Sequence, residues 1–456
     1  MIKAKYKPTI LHTGDWHFSE KNYEEVAKCV RFIVDAARDR KPDAIIVAGD
    51  LTDSMYLRLD TKSAKQIAES IKDMADIAPV FICLGTLTHD GKSPEILRNI
   101  SGEHPVIVSS VPEQYIVCDL DGRSLVEKVE LLSSPESGKP YVGYLAVEPS
   151  FCITLIPALS KVFLMDMEHF KDGKIEYTDI AAAHVLTDIF RGFGAVARNF
   201  PDVPHVMTSH HTIGGALVSP TQKLKTGHEI ELSKDQVMSA NPTVACFGHI
   251  HHAQQIDDLP IFYCGSVTRL NHGETDSNKG FYIHSFEEGS LTGSEFVETP
   301  AKKLLDISVD LTTEDVDGDE FDLLFRLKLA PQGKDVSGAH VKIKIKARVG
   351  VVLPSLTEIK KQYTGAGAAS VDIAVSRIPV MTVVCDTSEA ETLPEKIRLH
   401  AEATDVNHPP DVISEILDKA AMLETQPHEC VLKNAGEWMQ QEVSQPQSPV
   451  FQGTGA

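Results

Sequence analysis

The chain has 456 residues, 42% hydrophobic and 24% charged, with a formal net charge of −21. That length exceeds one compact core and predicts two domains plus a C-terminal segment. The acidic balance excludes a surface that binds nucleic acid everywhere by neutralising phosphates, although divalent cations or a basic partner can supply positive charge locally.

Apolar runs such as "AIIVA" and "FCITLIPAL" fall short of the roughly 18 residues that cross a bilayer, so no membrane span is predicted. The start, "MIKAKYKPTILHTGDWH", lacks a small-residue cleavage site, and no secretory signal is expected. Eight cysteines show no C-x-x-C spacing, and several sit inside strand-like runs. They read as reduced core residues of a cytoplasmic protein.

In chain order, "PTILHT" predicts a first strand and "EEVAKCVRFIVDAARDR" a helix, with Val26, Val30, Ile33, Val34 and Ala37 on one face. "DAIIVAGD" follows as a strand, "KSAKQIAESIKDMADI" as a second amphipathic helix and "PVFICLG" as a third strand. Apolar strands separated by helices predict an α/β fold, with a β-sheet core flanked by helices. From about 112 to 200 the pattern is less regular, and "SSPESGKP" reads as an exposed loop. Strands resume at "HVMTS", "TVACFG", "IFYCGS" and "FYIHSF".

After residue 300 the character changes. "HVKIKIKARVG" alternates strictly, and "ASVDIAVSRI" and "MTVVCD" are short strand patterns, so 301–400 is predicted as a smaller α+β domain following a 1–300 domain. Residues 401–456 form an acidic C-terminal segment whose Gln/Pro/Gly-rich end reads as disordered.

The chemistry lies where the strands stop. "LHTGDWH" offers Asp15 and His17, "VAGD" offers Asp50, "GTLTHD" offers His89 and Asp90, "MTSHH" offers His210 and His211, and "FGHIHH" offers His249 and His251. In open α/β sheets ligand sites gather beyond the carboxyl ends of the strands, so segments far apart in sequence can converge there. Such a set makes a mixed nitrogen/oxygen site for Mn, Fe or Zn. Two metals about 3.5–4 Å apart, bridged by one carboxylate, would clamp a phosphate and generate hydroxide at neutral pH. Each motif alone also has a structural reading, since a histidine after an apolar strand is often a satisfied core residue; the ordered set is what points to a metal centre.

The order D-x-H, G-D, H-D, H, G-H-x-H resembles the calcineurin-like metallophosphoesterase superfamily. Within it, "FGHIHHAQQIDDLPIFYCGSVTRLNHGETDSNKGFYI" is similar to the segment that closes the nuclease domain of SbcD-type DNA-repair exonucleases. The similarity runs from residue 8 to about 286, and the later α+β region takes the place of the family's capping domain by position and size. The resemblance implies two divalent metal ions, with Mn2+ foremost and Fe2+ or Zn2+ open. It also implies DNA as substrate and a coiled-coil ABC-type ATPase of the SbcC type as partner; a homodimer is a further alternative. Carried across, Asp15, His17 and His251 would hold one metal, Asp50 would bridge, and His210, in preference to His211, would hold the second with His249. His89 would assist departure of the leaving oxygen, with Asp90 orienting it.

One loop departs from the family pattern. Where relatives read G-N-H-D, with the asparagine on the second metal, this chain reads G-T-L-T-H-D. Thr86 or Thr88, a backbone carbonyl or water would take the asparagine's place, or the second metal is lost.

Other residues carry open alternatives. Asp53 reads as a cap or brace of the loop after Asp50, and His12, His205, His252 and His272 match no ligand position. Arg269 in "CGSVTR" is a phosphate contact or part of a plain turn. In "HVKIKIKARVG", Val341, Ile343, Ile345, Ala347 and Val349 share one face, leaving Lys342, Lys344, Lys346 and Arg348 on the other. That row tracks a DNA backbone or protects a sheet edge from aggregation. In "PPDVISEILDKAAML", Val412, Ile413, Ile416, Ala420 and Leu423 form an apolar stripe that docks on a partner or packs on its own domain. The reading that joins these features is a two-metal DNA phosphodiesterase, an SbcD-like exonuclease with endonuclease activity on single strands in DNA repair. The alternatives are a phosphoesterase of small phosphodiesters or nucleotides and a catalytically weak DNA-end-binding subunit.

Overall fold

The computed structural model describes residues 7–56, 58–120, 123–129, 132–133, 140–141, 149–165, 179–222, 230–312, 329–331, 333–353, 355–378, 387–388, 390–403 and 410–425. Of the predicted loop "SSPESGKP", residues 134–139 lie outside these residues, while Ser133 and Pro140 at its ends pair as antiparallel strands; the predicted strand "MTVVCD" and the C-terminal end also lie outside. The chain divides into two compact units, one of residues 1–345 and 353–375, the other of 346–352 and 376–456.

The larger unit is built on two sheets. In the first, strands Thr9–Thr13, Ala44–Val47, Val80–Cys83 and Val106–Ser109 run parallel, and the hairpin Gly280–Glu287/Ser290–Glu298 adds to the edge beside Thr9–Thr13. The second has Pro149–Ile156, His205–Ser209, Val244–Phe247 and Ile261–Tyr263 in parallel, closed by antiparallel strands at both ends. Alternate side chains of the two sheets, including Ile10, Ile46 and Phe81 from one and Ile153, Val206 and Cys246 from the other, form a single buried cluster. The sheets therefore pack face to face, each presenting its other face to helices.

On the outer face of the first sheet, helix Tyr23–Arg40 buries Val26, Val30, Ile33, Val34 and Ala37, a 3.6-residue stripe, against Leu11, Ile45 and Val80. Each large apolar side chain so buried contributes roughly 1.5–3 kcal/mol as an upper estimate. Helix Lys62–Ala75 joins the same cluster and starts cleanly because the Thr61 hydroxyl accepts from the Ala64 N–H. On the second sheet, helix Asp179–Ala197 buries Ala182, Leu186, Phe190 and Phe193. Its stretch Ile180–Ala197 is long and apolar enough to cross a bilayer, a length the uninterrupted apolar runs do not suggest. Its packing is that of an amphipathic core helix.

Beyond residue 300, strands Lys303–Asp310, Ala339–Arg348 and Ser370–Ile378 make a three-stranded sheet, and helix Leu356–Gly365 buries Ile359 and Tyr363. Val341, Ile343, Ile345 and Ala347 are buried as their alternation predicts, whereas Val349 lies past the strand end and is 55% exposed. In the smaller unit, helices Leu393–Ala403 and Pro410–Thr425 pack on each other. Ala420 is buried there, and Val412, Ile416 and Leu423 are exposed.

Six cysteines among the described residues are buried thiols. Four buried histidines are neutral. Burial pushes His12 down to about 3, His205 to about 4 and His211 to about 3, and takes His284 well below its ordinary value. The unfolded chain therefore binds more protons than the folded one below about pH 6.5. Stability from these rings is present above that pH and is lost as pH falls. Denaturant unfolding of the metal-free protein is expected to weaken by about 1.4 kcal/mol per histidine for each pH unit well below 6.5. A stability that stays flat from pH 6.5 to 5 contradicts the neutral assignment.

Candidate metal centre

Five parallel strands, three from the first sheet and two from the second, end at the same place, and their next residues turn sharply. Asp15, His17, Asp50 and His249 all have positive φ, at 48°, 51°, 50° and 86°. Left-handed backbone at residues other than glycine costs of order 1–3 kcal/mol each and persists only where the surroundings hold it. Here Asp15 N–H donates to Gly49 O (2.9 Å) and His17 N–H to Asp50 O (2.9 Å), lacing the first two loops together. Two glycines permit the close approach. A Cβ on Gly85 would stand 2.0 Å from Asp50 Oδ1, and one on Gly248 would stand 2.1 Å from Ala48 O.

The result is a set of converging donors. One ligand atom each from Asp15, His17 and His251 lie within 4.8 Å of one another, as do those of Asp50, His210 and His249, and those of His17, Asp50 and His89. Asp50 Oδ2 is 3.2 Å from His210 Nε2 and 3.9 Å from His17 Nε2. The His17 ring lies 4.8 Å from His251 and 4.7 Å from His89, and His210 lies 5.2 Å from His249. Both nitrogens of His17, Nε2 of His210 and Nδ1 of His89 are buried without a hydrogen-bond partner. Orphaned polar atoms of this kind are costly unless something else satisfies them. Imidazole and carboxylate donors suit first-row divalent metals, so the residues present fit two such ions.

The electrostatics point the same way. Burial works against a charged His210, but the Asp50 carboxylate beside it outweighs this and raises its pKa to about 10. Burial likewise opposes ionisation of Asp50, yet His210, His17 and His89 hold it well below the usual carboxylate range. The site is a concentrated anion-and-imidazole cluster that a cation would complete.

The two adjacent histidines of "SHH" separate cleanly. His210 Nδ1 donates to Ala48 O (2.6 Å), leaving Nε2 facing Asp50. His211 instead accepts from Leu159 N–H (3.0 Å) through Nε2 and pairs with Ser209 Oγ (2.8 Å) through Nδ1. Thr86, in the loop that lacks an asparagine, turns to Asp50: its N–H donates to Asp50 Oδ1 (2.8 Å) and its hydroxyl stands 3.3 Å from the same oxygen. Asp90 braces the loop rather than the His89 ring, accepting from Gly85 N–H (2.9 Å) and Thr52 N–H (3.2 Å). Burial and the nearby Asp50 raise its pKa to about 6.

Arg269 sits apart from the donors. Its guanidinium donates to Lys302 O (3.1 Å) and Ser277 O (3.0 Å), tying two chain segments together. The lysine row lies on the middle strand of its sheet, so protection of an edge is not its role. Lys344 pairs with Asp306 (2.6 Å), Lys342 is half-buried and Lys346 is exposed. A cavity of about 400 Å3 at the amino ends of the first-sheet strands, lined by Lys41, Asp43, His104 and Ser124 among others, contains none of the donors.

Three residues have site roles that the motifs do not announce. Asp53 faces both His17 (3.7 Å) and His89 (3.4 Å). Its G-D-x-x-D spacing after Asp50 was the available signal. Glu274 and Lys279 form a fully buried ion pair behind His251.

Residues 8–132 match the family model described as calcineurin-like phosphoesterase. This stretch supplies Asp15, His17, Asp50 and His89, so these four donors lie in the part of the chain that is similar to that family. Among solved structures, the chain is similar to the GAP50 anchor of the inner membrane complex of Plasmodium, at 12% identity over 65% of this chain and 86% of that one, TM-score 0.39. It is also similar to a dimetal phosphatase from Danio rerio, at 12% identity over 64% and 99%, TM-score 0.36. A predicted phosphoesterase from Streptococcus pneumoniae aligns at 12% identity over 65% and 91%, TM-score 0.23. Likeness at this level carries no argument about substrate.

Proposed function

We propose that the chain is a two-metal phosphodiesterase that processes DNA ends, an exonuclease with endonuclease activity on single strands. The observation that carries the two-metal reading is Asp50, whose Oδ2 stands 3.2 Å from His210 of its own donor set and 3.9 Å from His17 of the other, so that one carboxylate lies between the two. Asp15, His17 and His251 would hold one ion, and Asp50, His210 and His249 the other. Metals held there would supply a hydroxide nucleophile at neutral pH and charge to offset the phosphate.

The chain's own groups do the rest. The His89 side chain is one-third exposed at the rim of the cluster, with Nδ1 3.4 Å from the Asp53 carboxylate. That carboxylate orients the ring through Nδ1, so that Nε2 would give a proton to the departing oxygen. The choice of DNA over small diesters is supported by the segment from Phe247 to Ile283, whose G-H-x-H, "YCGS" and "KGF" resemble the DNA-end exonucleases. By the same resemblance the partner is a coiled-coil ABC-type ATPase, which the exposed stripe Val412, Ile416 and Leu423 would meet.

The deciding experiment sets linear duplex DNA beside bis-p-nitrophenyl phosphate, each with manganese. Manganese-dependent loss of nucleotides from duplex ends is expected. Turnover of the small diester alone would replace DNA with a small phosphodiester, and DNA binding with neither turnover would leave an end-binding subunit.

A further inference from the structure

The pair Glu274–Lys279 is unusual for its cost. Both side chains are fully buried, and taking two charges out of water costs several kcal/mol per ion unless every hydrogen bond is made. Here the bonds are made, and they converge on His251. Lys279 Nζ donates to Glu274 Oε2, His251 O and Ser266 Oγ, each at 2.8 Å, which uses all three ammonium protons. Glu274 Oε2 also accepts from Leu270 N–H (3.1 Å), while Oε1 faces His251 Nδ1 at 3.0 Å. The Gln222 amide completes the grip, accepting from His251 N–H (3.1 Å).

His251 is thus fixed at its backbone N–H, its carbonyl and one ring nitrogen. An ionised carboxylate can only accept, so His251 carries a proton on Nδ1, and its neutral form presents an unprotonated Nε2. That is the form in which an imidazole binds a metal.

The placement of Lys279 adds a second constraint. It opens strand Gly280–Glu287 of the first sheet, whereas His251 and Ser266 follow strands of the second. The ammonium ties the two sheets together at the end where the donors gather.

We infer that Glu274 is a positioning residue for the ion shared by Asp15, His17 and His251, setting the tautomer and direction of His251, and that Lys279 holds Glu274 in place. The inference rests on the metal-centre reading of the site but not on DNA as its substrate.

The test needs no turnover. In the metal-free wild-type protein, long-range proton–nitrogen correlation of labelled histidine should show the His251 proton on Nδ1; finding it on Nε2 overturns the inference without any variant. In Glu274→Gln, which keeps the shape and removes the charge, two-site titration with Mn2+ should show one ion weakened about 10- to 100-fold and the other unchanged. Affinities at both sites unchanged from wild type, or equally weakened at both, overturn it. Lys279→Met should weaken the same ion, and circular dichroism of each variant reports whether the fold is kept. A wild-type protein that binds two ions, shows the Nδ1 tautomer and leaves DNA intact would remove the proposed substrate while this inference stands.

Discussion

Asp50→Ala is expected to empty both metal positions and take turnover to background. Asp50 faces His210 at 3.2 Å and His17 at 3.9 Å, and its other oxygen accepts from the Thr86 N–H. Its loss removes the carboxylate that lies between the two sets. It also takes the counter-charge from two buried imidazoles and releases the "GTLTHD" loop. Elemental analysis should fall from two ions per chain to about none, with hydrolysis of both DNA and a small diester lost together. Asp50→Asn separates charge from shape: it retains the contact with Thr86 but weakens metal binding, since a neutral amide is a poorer bridge than a carboxylate. Two tightly held ions in Asp50→Ala would show that the sets are independent and that Asp50 does not bridge them.

His89→Ala is expected to behave in the opposite way, keeping both ions while losing about 10²–10⁴ in kcat, the span of general acid–base help. The ring lies at the rim, against His17 at 4.7 Å and Asp53 at 3.4 Å, and the two main donor sets are complete without it. KM should change little, because the proton is needed when the bond breaks and not when substrate binds. Asp53→Asn should give a smaller loss of kcat in the same direction, since the carboxylate that orients the His89 ring is gone. Loss of a metal ion in His89→Ala would make it a ligand, in line with its position within 4.8 Å of His17 and Asp50 donors.

The extended "GTLTHD" loop shows how far motif reading reaches. That it follows a strand, carries a histidine and lacks an asparagine is plain from the letters. Where Thr86 points is not. Its backbone and hydroxyl both turn to Asp50, 36 residues earlier in the chain, and the contact exists because Gly85 lets the loop approach within a distance that any Cβ would forbid. Asp90 is similar. Its adjacency to His89 suggests a partner, but its carboxylate is taken by Gly85 and Thr52 N–H groups, and Asp53 meets the ring instead.

The sequence by itself determined the elements and the donor types. Apolar runs and 3.6-residue stripes depend on neighbours two to four positions away, so Ile10, Ile45, Phe81 and the buried face of helix Tyr23–Arg40 could be named in advance, along with the Asp and His residues that follow each strand. The tertiary structure alone decided which donors meet. Asp15 and His251 are brought together by the packing of two different sheets, and no local pattern encodes the order or offset of those sheets. It also decided between His210 and His211, since only one of two alternating side chains at a strand end can face Asp50. It placed the lysine row on a central strand, because an edge is a property of strand order and not of the strand's own residues. The Glu274–Lys279 pair belongs to the same class: two charges to which the motifs assign no role are buried because the fold closes over them and hands each a complete set of partners.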